Sequence, residues 1–307
     1  MLRLRGLNVS FNLPHGELHA VRDVTLAVGS GECLGVVGES GAGKSQLFLA
    51  VMGLLAANGR ASGSAWLGDS ELLGLPAAAL ARVRGRQVGM VLQDPLTSLT
   101  PHLTVGEQLI EVLRRHRSLA RNAARARAQA LLERVHVNDA VQRLAQYPHQ
   151  LSGGMRQRVT IAIALAGEPR LLIADEPTTS LDVTIQAQIL ALLAELKRSR
   201  GLSLVLITHD LAALAGVADR IAVMRQGRLI EAGAAAEVLK APRDPYTRTL
   251  VENAAPPQPP LPGANHRGAA GTVALTVSEL GVQYAVRGGW LRPRVLLPAL
   301  SSVRSPG

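Results

Sequence analysis

The sequence predicts an α/β protein in which a mostly parallel sheet is covered on both faces by helices. Three observations carry that expectation. Hydrophobic residues make up 47% of the 307 residues but aromatics only 2%, so the core must be packed from aliphatic side chains. Four short runs are apolar throughout: Leu34 to Val37, Val88 to Leu92, Leu171 to Ala174 and Leu204 to Ile207. That is the pattern of strands buried on both faces. The first 30 residues behave differently and alternate apolar with polar positions.

In that opening stretch Leu2, Leu4, Leu7, Val9 and Phe11, then Val21, Val24, Leu26 and Val28, give the period of half-buried antiparallel strands. A small antiparallel β-subdomain is expected there. A helix is expected over Gln46 to Leu55, after the first buried strand. Between the second and third buried strands an inserted helical subdomain is expected, approximately 95–167, and Thr104-Val105-Gly106-Glu107 has the spacing of a capping box at its first long helix. The main domain is read as 1–254. Residues 255–272 are rich in Pro and Gly and read as an extended linker. Beyond it, Val277 to Tyr284 echoes Leu4 to Phe11, so 273–307 is read as the partial start of a second copy of the same domain. A disordered tail or a coincidental β-hairpin is the alternative.

The chemistry is concentrated in a few segments. Gly38-Glu39-Ser40-Gly41-Ala42-Gly43-Lys44-Ser45 fits G-x-x-x-x-G-K-[ST] and stands between a buried strand and a helix, where a phosphate-binding loop must stand. Backbone N–H groups would converge on phosphates at the helix start, Lys44 would reach the β and γ oxygens, and the Ser45 hydroxyl would join Mg²⁺. This makes the parallel sheet a P-loop NTPase core with a nucleoside triphosphate and Mg²⁺ as the expected ligands and Gln46 beside them; the loop alone serves kinases, GTPases and other NTPases, and the further motifs below point to ATP. Asp175 and Glu176 close a buried strand, Asp175 placed to hold Mg²⁺ and Glu176 to orient and polarise the attacking water. Ser152, Gly153 and Gly154 open an apolar helix read over Val159 to Ala166, a second place where free N–H groups face an anion.

Taken in order, Lys44, Gln93, Ser152-Gly153-Gly154, Asp175-Glu176, Asp182 and His209 resemble the motif series of ATP-binding cassette (ABC) transporter ATPases. The resemblance implies that Ser152, Gly153, Gly154 and Asp182 act on the nucleotide of another subunit. It makes Gln93 the glutamine loop and a metal-site residue, and His209 the histidine that contacts the γ-phosphate and the catalytic water. Phe11 is the candidate for stacking on adenine, or else it fills the core of the small sheet; the sequence leaves the two open. Wording across most of 1–255, such as Tyr147-Pro148-His149-Gln150-Leu151-Ser152 and Asp244-Pro245-Tyr246-Thr247, resembles the branch that imports oligopeptides, dipeptides or nickel. That branch implies an ATPase coupled to import of a small solute, a peptide or a related substrate such as nickel or glutathione. Its partners would be a second cassette, alike or related, two transmembrane permeases and, indirectly, an extracytoplasmic solute-binding protein. The expected place is peripheral, on the cytoplasmic face of the inner membrane. Thr100 and Arg225 depart from the branch pattern, and a second cassette in tandem is what 273–307 would begin.

Composition bounds the alternatives. No run reaches the roughly 18 to 20 apolar residues of a membrane span, so other chains must supply any spans. Cys33 is the single cysteine, lies in an apolar strand and reads as an inert core thiol. A net charge of +10 and the arginines at 114, 115, 117, 121, 125 and 127 raise a nucleic-acid ATPase as an alternative. There is neither a heptad run nor a cysteine set to support it, so nucleic acid is not an expected partner. A regulatory protein that binds ATP without cleaving it is opposed by the presence of Glu176 and His209.

Overall fold

A computed structural model of the chain describes residues 1–94, 98–179, 181–254, 280–287 and 294–303, the last two stretches by backbone alone. The alternating opening residues form β1 (Leu2–Leu13) and β2 (Gly16–Val28), paired antiparallel with Leu4 opposite Leu26 and Val9 opposite Val21. Leu4 and Leu7 are three residues apart, yet both are buried. A register shift between them absorbs the extra residue and keeps the apolar set on one face.

The first central strand is β3 (Cys33–Val37), followed by α1 (Lys44–Val51). This helix is shorter than the expected Gln46 to Leu55: the Gly53 N–H turns back to Ala50 O, closing the last turn. Two further strands, β4 (Gly59–Leu67) and β5 (Ser70–Glu71), complete the small sheet in the order β2-β1-β4-β5. After α2 (Ala77–Val83) comes β6 (Val88–Val91), which stops before the half-exposed Leu92.

The helical insertion consists of α3 (Val105–Arg117), α4 (Arg121–Arg134), α5 (Ala140–Leu144) and α6 (Gly153–Leu165). The capping box at its start is formed: Glu107 N–H donates to Thr104 Oγ1 at 3.2 Å and Thr104 N–H to Glu107 Oε2 at 2.8 Å. Of the six arginines, Arg117 and Arg127 reach Glu168 at 3.1 and 2.5 Å, while Arg114, Arg115, Arg121 and Arg125 are exposed.

The remaining core elements are β7 (Leu171–Asp175), α7 (Val183–Arg200), β8 (Ser203–Thr208), β9 (Arg220–Arg225), β10 (Arg228–Ala234), α8 (Ala235–Lys240) and α9 (Pro245–Ala254). The central sheet runs β10-β9-β3-β8-β7-β6, all parallel except β10. Its strands are apolar throughout because each face meets its own core. Leu171 and Ile173 pack with the small sheet and α1, whereas Leu172 and Ala174 pack with the helical insertion. The other strands of the pattern divide in the same way, Val36 to one side and Val37 to the other.

A separate unit holds β11 (Leu280–Arg287) and β12 (Arg294–Val303), an antiparallel pair with Leu280 opposite Val303. The expected linker 255–272, residues 273–279 and Ser180 lie outside the described residues.

Cys33 sits at the start of β3 with no exposed surface, and its backbone N–H donates to Asp219 Oδ2 at 2.7 Å. Burial pushes its thiol up to about 12, with Lys197 pulling down and Asp219 and Glu32 pushing up. The thiolate that reacts is therefore almost absent at neutral pH. Folded protein is expected to give no reaction with Ellman's reagent at pH 8 and one equivalent once denatured. Prompt native labelling would show that the strand opens.

Candidate active site

The loop from Gly38 to Ser45 leaves the end of β3 and enters α1 under tight backbone contact. A side chain at Gly38 would place Cβ 2.1 Å from Met224 O, and one at Gly43, where φ is +92°, 2.2 Å from Ala20 O. Only glycine fits beside these carbonyls. Within the loop Ala42 N–H donates to Glu39 O at 3.1 Å, and among the described residues the N–H groups of Ser40, Gly41 and Gly43 have no protein acceptor. With the free N–H groups of the first turn of α1 they form a set of donors for an anion.

Lys44 opens α1 and is 4% exposed. Its ammonium donates to Gly38 O at 2.6 Å and Glu39 O at 2.9 Å, so the loop wraps its own cation. Burial lowers its pKa, and Glu176 and Asp175 act against that shift. Ser45 Oγ donates to Asp175 Oδ1 at 2.8 Å across the gap between α1 and β7. Burial pushes the Asp175 carboxyl up; the Ser45 bond and Lys44 pull it down, and Glu176 adds to the rise. This pair of hard oxygens suits Mg²⁺, which binds through one or two protein oxygens and keeps phosphate and water for the rest. Among the described residues no group of three or more His, Cys, Asp or Glu could hold a metal ion by itself.

Glu176 follows β7 with φ at +45° and its N–H on Ile207 O at 2.9 Å. That turn carries its carboxylate across the strand ends. Its Oε2 accepts from Gln93 Nε2 at 3.1 Å and Thr179 Oγ1 at 2.8 Å, and lies 3.3 Å from His209 Nδ1. Gln93 follows β6 and His209 follows β8, so three adjacent strands meet on one carboxylate oxygen. With three neighbours on Oε2, among the described residues the other carboxylate oxygen has no hydrogen-bond partner.

Lys44, Ser45, Gln93, Asp175, Glu176 and His209 are thus brought together, along with Glu39, Ser40 and Gln46 on the loop and α1. Ser152, Gly153, Gly154 and Asp182 are not in this cluster. Ser152 caps α6, its Oγ accepting from Met155 N–H at 3.4 Å, so that helix opens at Gly153, as the serine and two glycines lead one to expect, and runs on through the apolar residues to Leu165. Asp182 caps α7 through Ile185 N–H at 3.0 Å. The two helix starts touch, since a Cβ at Gly154 would meet Ile185 Cγ2 at 2.7 Å. Among the described residues no hydrogen bond joins either start to the 38–45 loop.

Phe11 is half-buried on the small sheet, against Gly59 and opposite Leu18. Leu18, His19 and Ala20 line a cavity of about 460 Å³ beside Gly41, with Arg22, Arg225 and Arg228 on its other sides. Sequence reasoning missed this wall, along with Thr179 and Tyr246. Tyr246 lies in α9, and its hydroxyl accepts Glu39 N–H at 3.1 Å.

Residues 21–179 match the family model described as ABC transporter. The chain is 49% identical over 256 residues to the oligopeptide transport ATP-binding protein OppD of Escherichia coli (strain K12), covering 83% of this chain and 76% of that protein. It is 46% identical over 253 residues to the dipeptide transport ATP-binding protein DppD of Bacillus subtilis (strain 168), covering 82% and 76%. Among solved structures it is similar to the dimeric, post-hydrolysis ATP-binding cassette MJ0796 bound to ADP and Pi. There the identity is 28% and the TM-score 0.69, over 76% of this chain and 99% of that one.

Gly43→Ala forces a methyl group onto the Ala20 carbonyl in a left-handed backbone. The expected loss is about 2 kcal/mol or more. It would be read as a thermal midpoint several degrees below that of the parent chain. An unchanged midpoint would mean that β2 yields to the loop.

Proposed function

The chain belongs to the ABC transporter family as an ATP-binding subunit, and from that premise we propose that it hydrolyses MgATP to drive uptake of oligopeptides or dipeptides through separate membrane permeases. The observation that carries the chemistry is the Glu176 carboxylate, held by Gln93, Thr179 and His209 beside the Ser45–Asp175 pair and the buried Lys44. The names of the relatives support the peptide solute.

In this reading the triphosphate takes the loop donors of Ser40 to Ser45, and Lys44 exchanges its two carbonyl partners for phosphate oxygens. Ser45, Asp175 and Gln93 would hold Mg²⁺, which supplies positive charge to the phosphate oxygens. Glu176 orients and polarises the attacking water through its free oxygen, and His209 donates toward the γ-phosphate. Phe11 would offer its ring to adenine, its strand partner Leu18 being one wall of the cavity beside Gly41.

The other half of the machinery comes from a second cassette, a copy or a related chain. Its residues equivalent to Ser152, Gly153, Gly154 and Asp182 close over this chain's nucleotide, as this chain's own close over the other. No described helix is long and apolar enough to cross a membrane. In this reading, which the relatives' names as transport ATP-binding proteins support, the subunit works peripherally, on the cytoplasmic face of the inner membrane, against two permeases that receive solute from an extracytoplasmic binding protein.

Glu176→Gln is expected to cut steady-state phosphate release about 10²- to 10⁴-fold. ATP-dependent pairing should persist in the same variant, measured by size-exclusion chromatography. Undiminished turnover would remove Glu176 from its role. Phe11→Ala should raise the ATP dissociation constant about tenfold if each stacked base contributes its usual share. An equal constant in a folded variant would return Phe11 to the core of the small sheet.

A further inference from the structure

The Asp244-Pro245-Tyr246 turn, beyond the segment that matches the family model, ends against the phosphate loop. Tyr246 is 9% exposed, and its hydroxyl oxygen accepts Glu39 N–H at 3.1 Å. The carbonyl of the same peptide group, Gly38 O, accepts Lys44 Nζ at 2.6 Å. One peptide is therefore held between a phenol and an ammonium, and each bond polarises it in favour of the other.

Tyr246 is itself braced on several sides. Asp244 Oδ1 accepts Tyr246 N–H at 2.8 Å, and Pro245 starts the helix with the φ it needs. Glu231 on β10 accepts the N–H groups of Arg243 and Asp244 at 2.9 and 3.1 Å, which ties the turn to the central sheet. The Arg225 guanidinium lies 4.6 Å from the centre of the Tyr246 ring. Arg225, a departure from the branch pattern in sequence, thus stands three contacts from Lys44.

We propose that Tyr246 is a positioning residue for nucleotide binding. Its hydroxyl sets the plane of the Gly38–Glu39 peptide, so the donors of the loop are aligned before phosphate arrives, and Arg225 steadies the ring that carries it. The inference rests on the ATP reading and extends the site to the end of the cassette. Without the hydroxyl, Glu39 N–H loses its acceptor and the loop must be ordered by the nucleotide itself.

Tyr246→Phe deletes that one oxygen and keeps the ring. Wild type, Tyr246→Phe and Arg225→Leu would be compared by titration with a fluorescent ATP analogue and Mg²⁺, by phosphate release and by thermal melting. Tyr246→Phe is expected to raise the dissociation constant about five- to tenfold, the effect of one lost hydrogen bond. Turnover at saturating ATP and the thermal midpoint should stay at wild-type values, and Arg225→Leu should weaken binding in the same direction by a smaller factor. Wild-type affinity in Tyr246→Phe overturns the proposal, and so does a lower midpoint with an unchanged constant, which assigns Tyr246 to packing alone. Should Tyr246→Phe not fold, unchanged affinity in Arg225→Leu overturns it instead. Failure of the wild-type chain to bind the analogue would overturn the ATP reading beneath it, a separate and distinguishable result.

Discussion

The site depends on the register of four parallel neighbours. Strands β3, β8, β7 and β6 lie side by side, with Val37 paired to Thr208, Asp175 to Ile207 and Val91 to Ala174. Their carboxyl ends therefore finish at nearly one level, about 5 Å apart from strand to strand. Each then contributes one part: the loop of Gly38 to Ser45, His209, Asp175 with Glu176, and Gln93. A slip of one residue in β7 would exchange Asp175 for Glu176 in the pairing and turn each to the other face. The two cores prevent that slip, because Leu171 and Ile173 fit one and Leu172 and Ala174 the other.

That register brings charges into a region that is otherwise dry, and their placement follows from the cost of burying them. An ammonium as buried as Lys44 must be paired or hydrogen-bonded. Two loop carbonyls serve it, with Asp175 and Glu176 contributing through space. The carboxyl of Asp175 has the opposite difficulty: burial favours its neutral form, and one hydroxyl only partly offsets this. A polyanion with a divalent cation improves both conditions, since each group then meets opposite charge. The strain at Glu176 follows the same logic, as a left-handed residue at a strand end aims its carboxylate across to two neighbouring strands.

How much of this was legible in the sequence depends on how local each signal is. The buried strands, the phosphate loop, the capping box and the acidic strand end are written in neighbouring residues, and they stand where expected. Strand β9 was missed because its buried run is only Ile221 to Met224, closed at both ends by arginine. Strand β10 is a half-exposed edge with no clean alternation, and β4 begins with five poorly buried residues. Thr179 looked like an ordinary turn residue. Tyr246 meets Glu39 across 207 positions of chain, a contact for which no local pattern exists. The Phe11 question stayed open for a related reason: a half-buried aromatic on a strand carries the same pattern in either role.

The separation of the two clusters gives the proposed cycle its logic. Ser152 and Asp182 already cap the helices they begin, and those helix starts lean on each other through Gly154 and Ile185. Their capped, exposed ends are fixed to the insertion and to α7, while the loop that binds phosphate is fixed to β3. Among the described residues of one chain, no hydrogen bond joins either start to that loop. In the proposed cycle an anion that needs both sets of donors would therefore lie between two cassettes, and its cleavage would wait on their closure. Hydrolysis conditional on closure is what lets the energy of the nucleotide move a partner rather than dissipate in a solitary subunit.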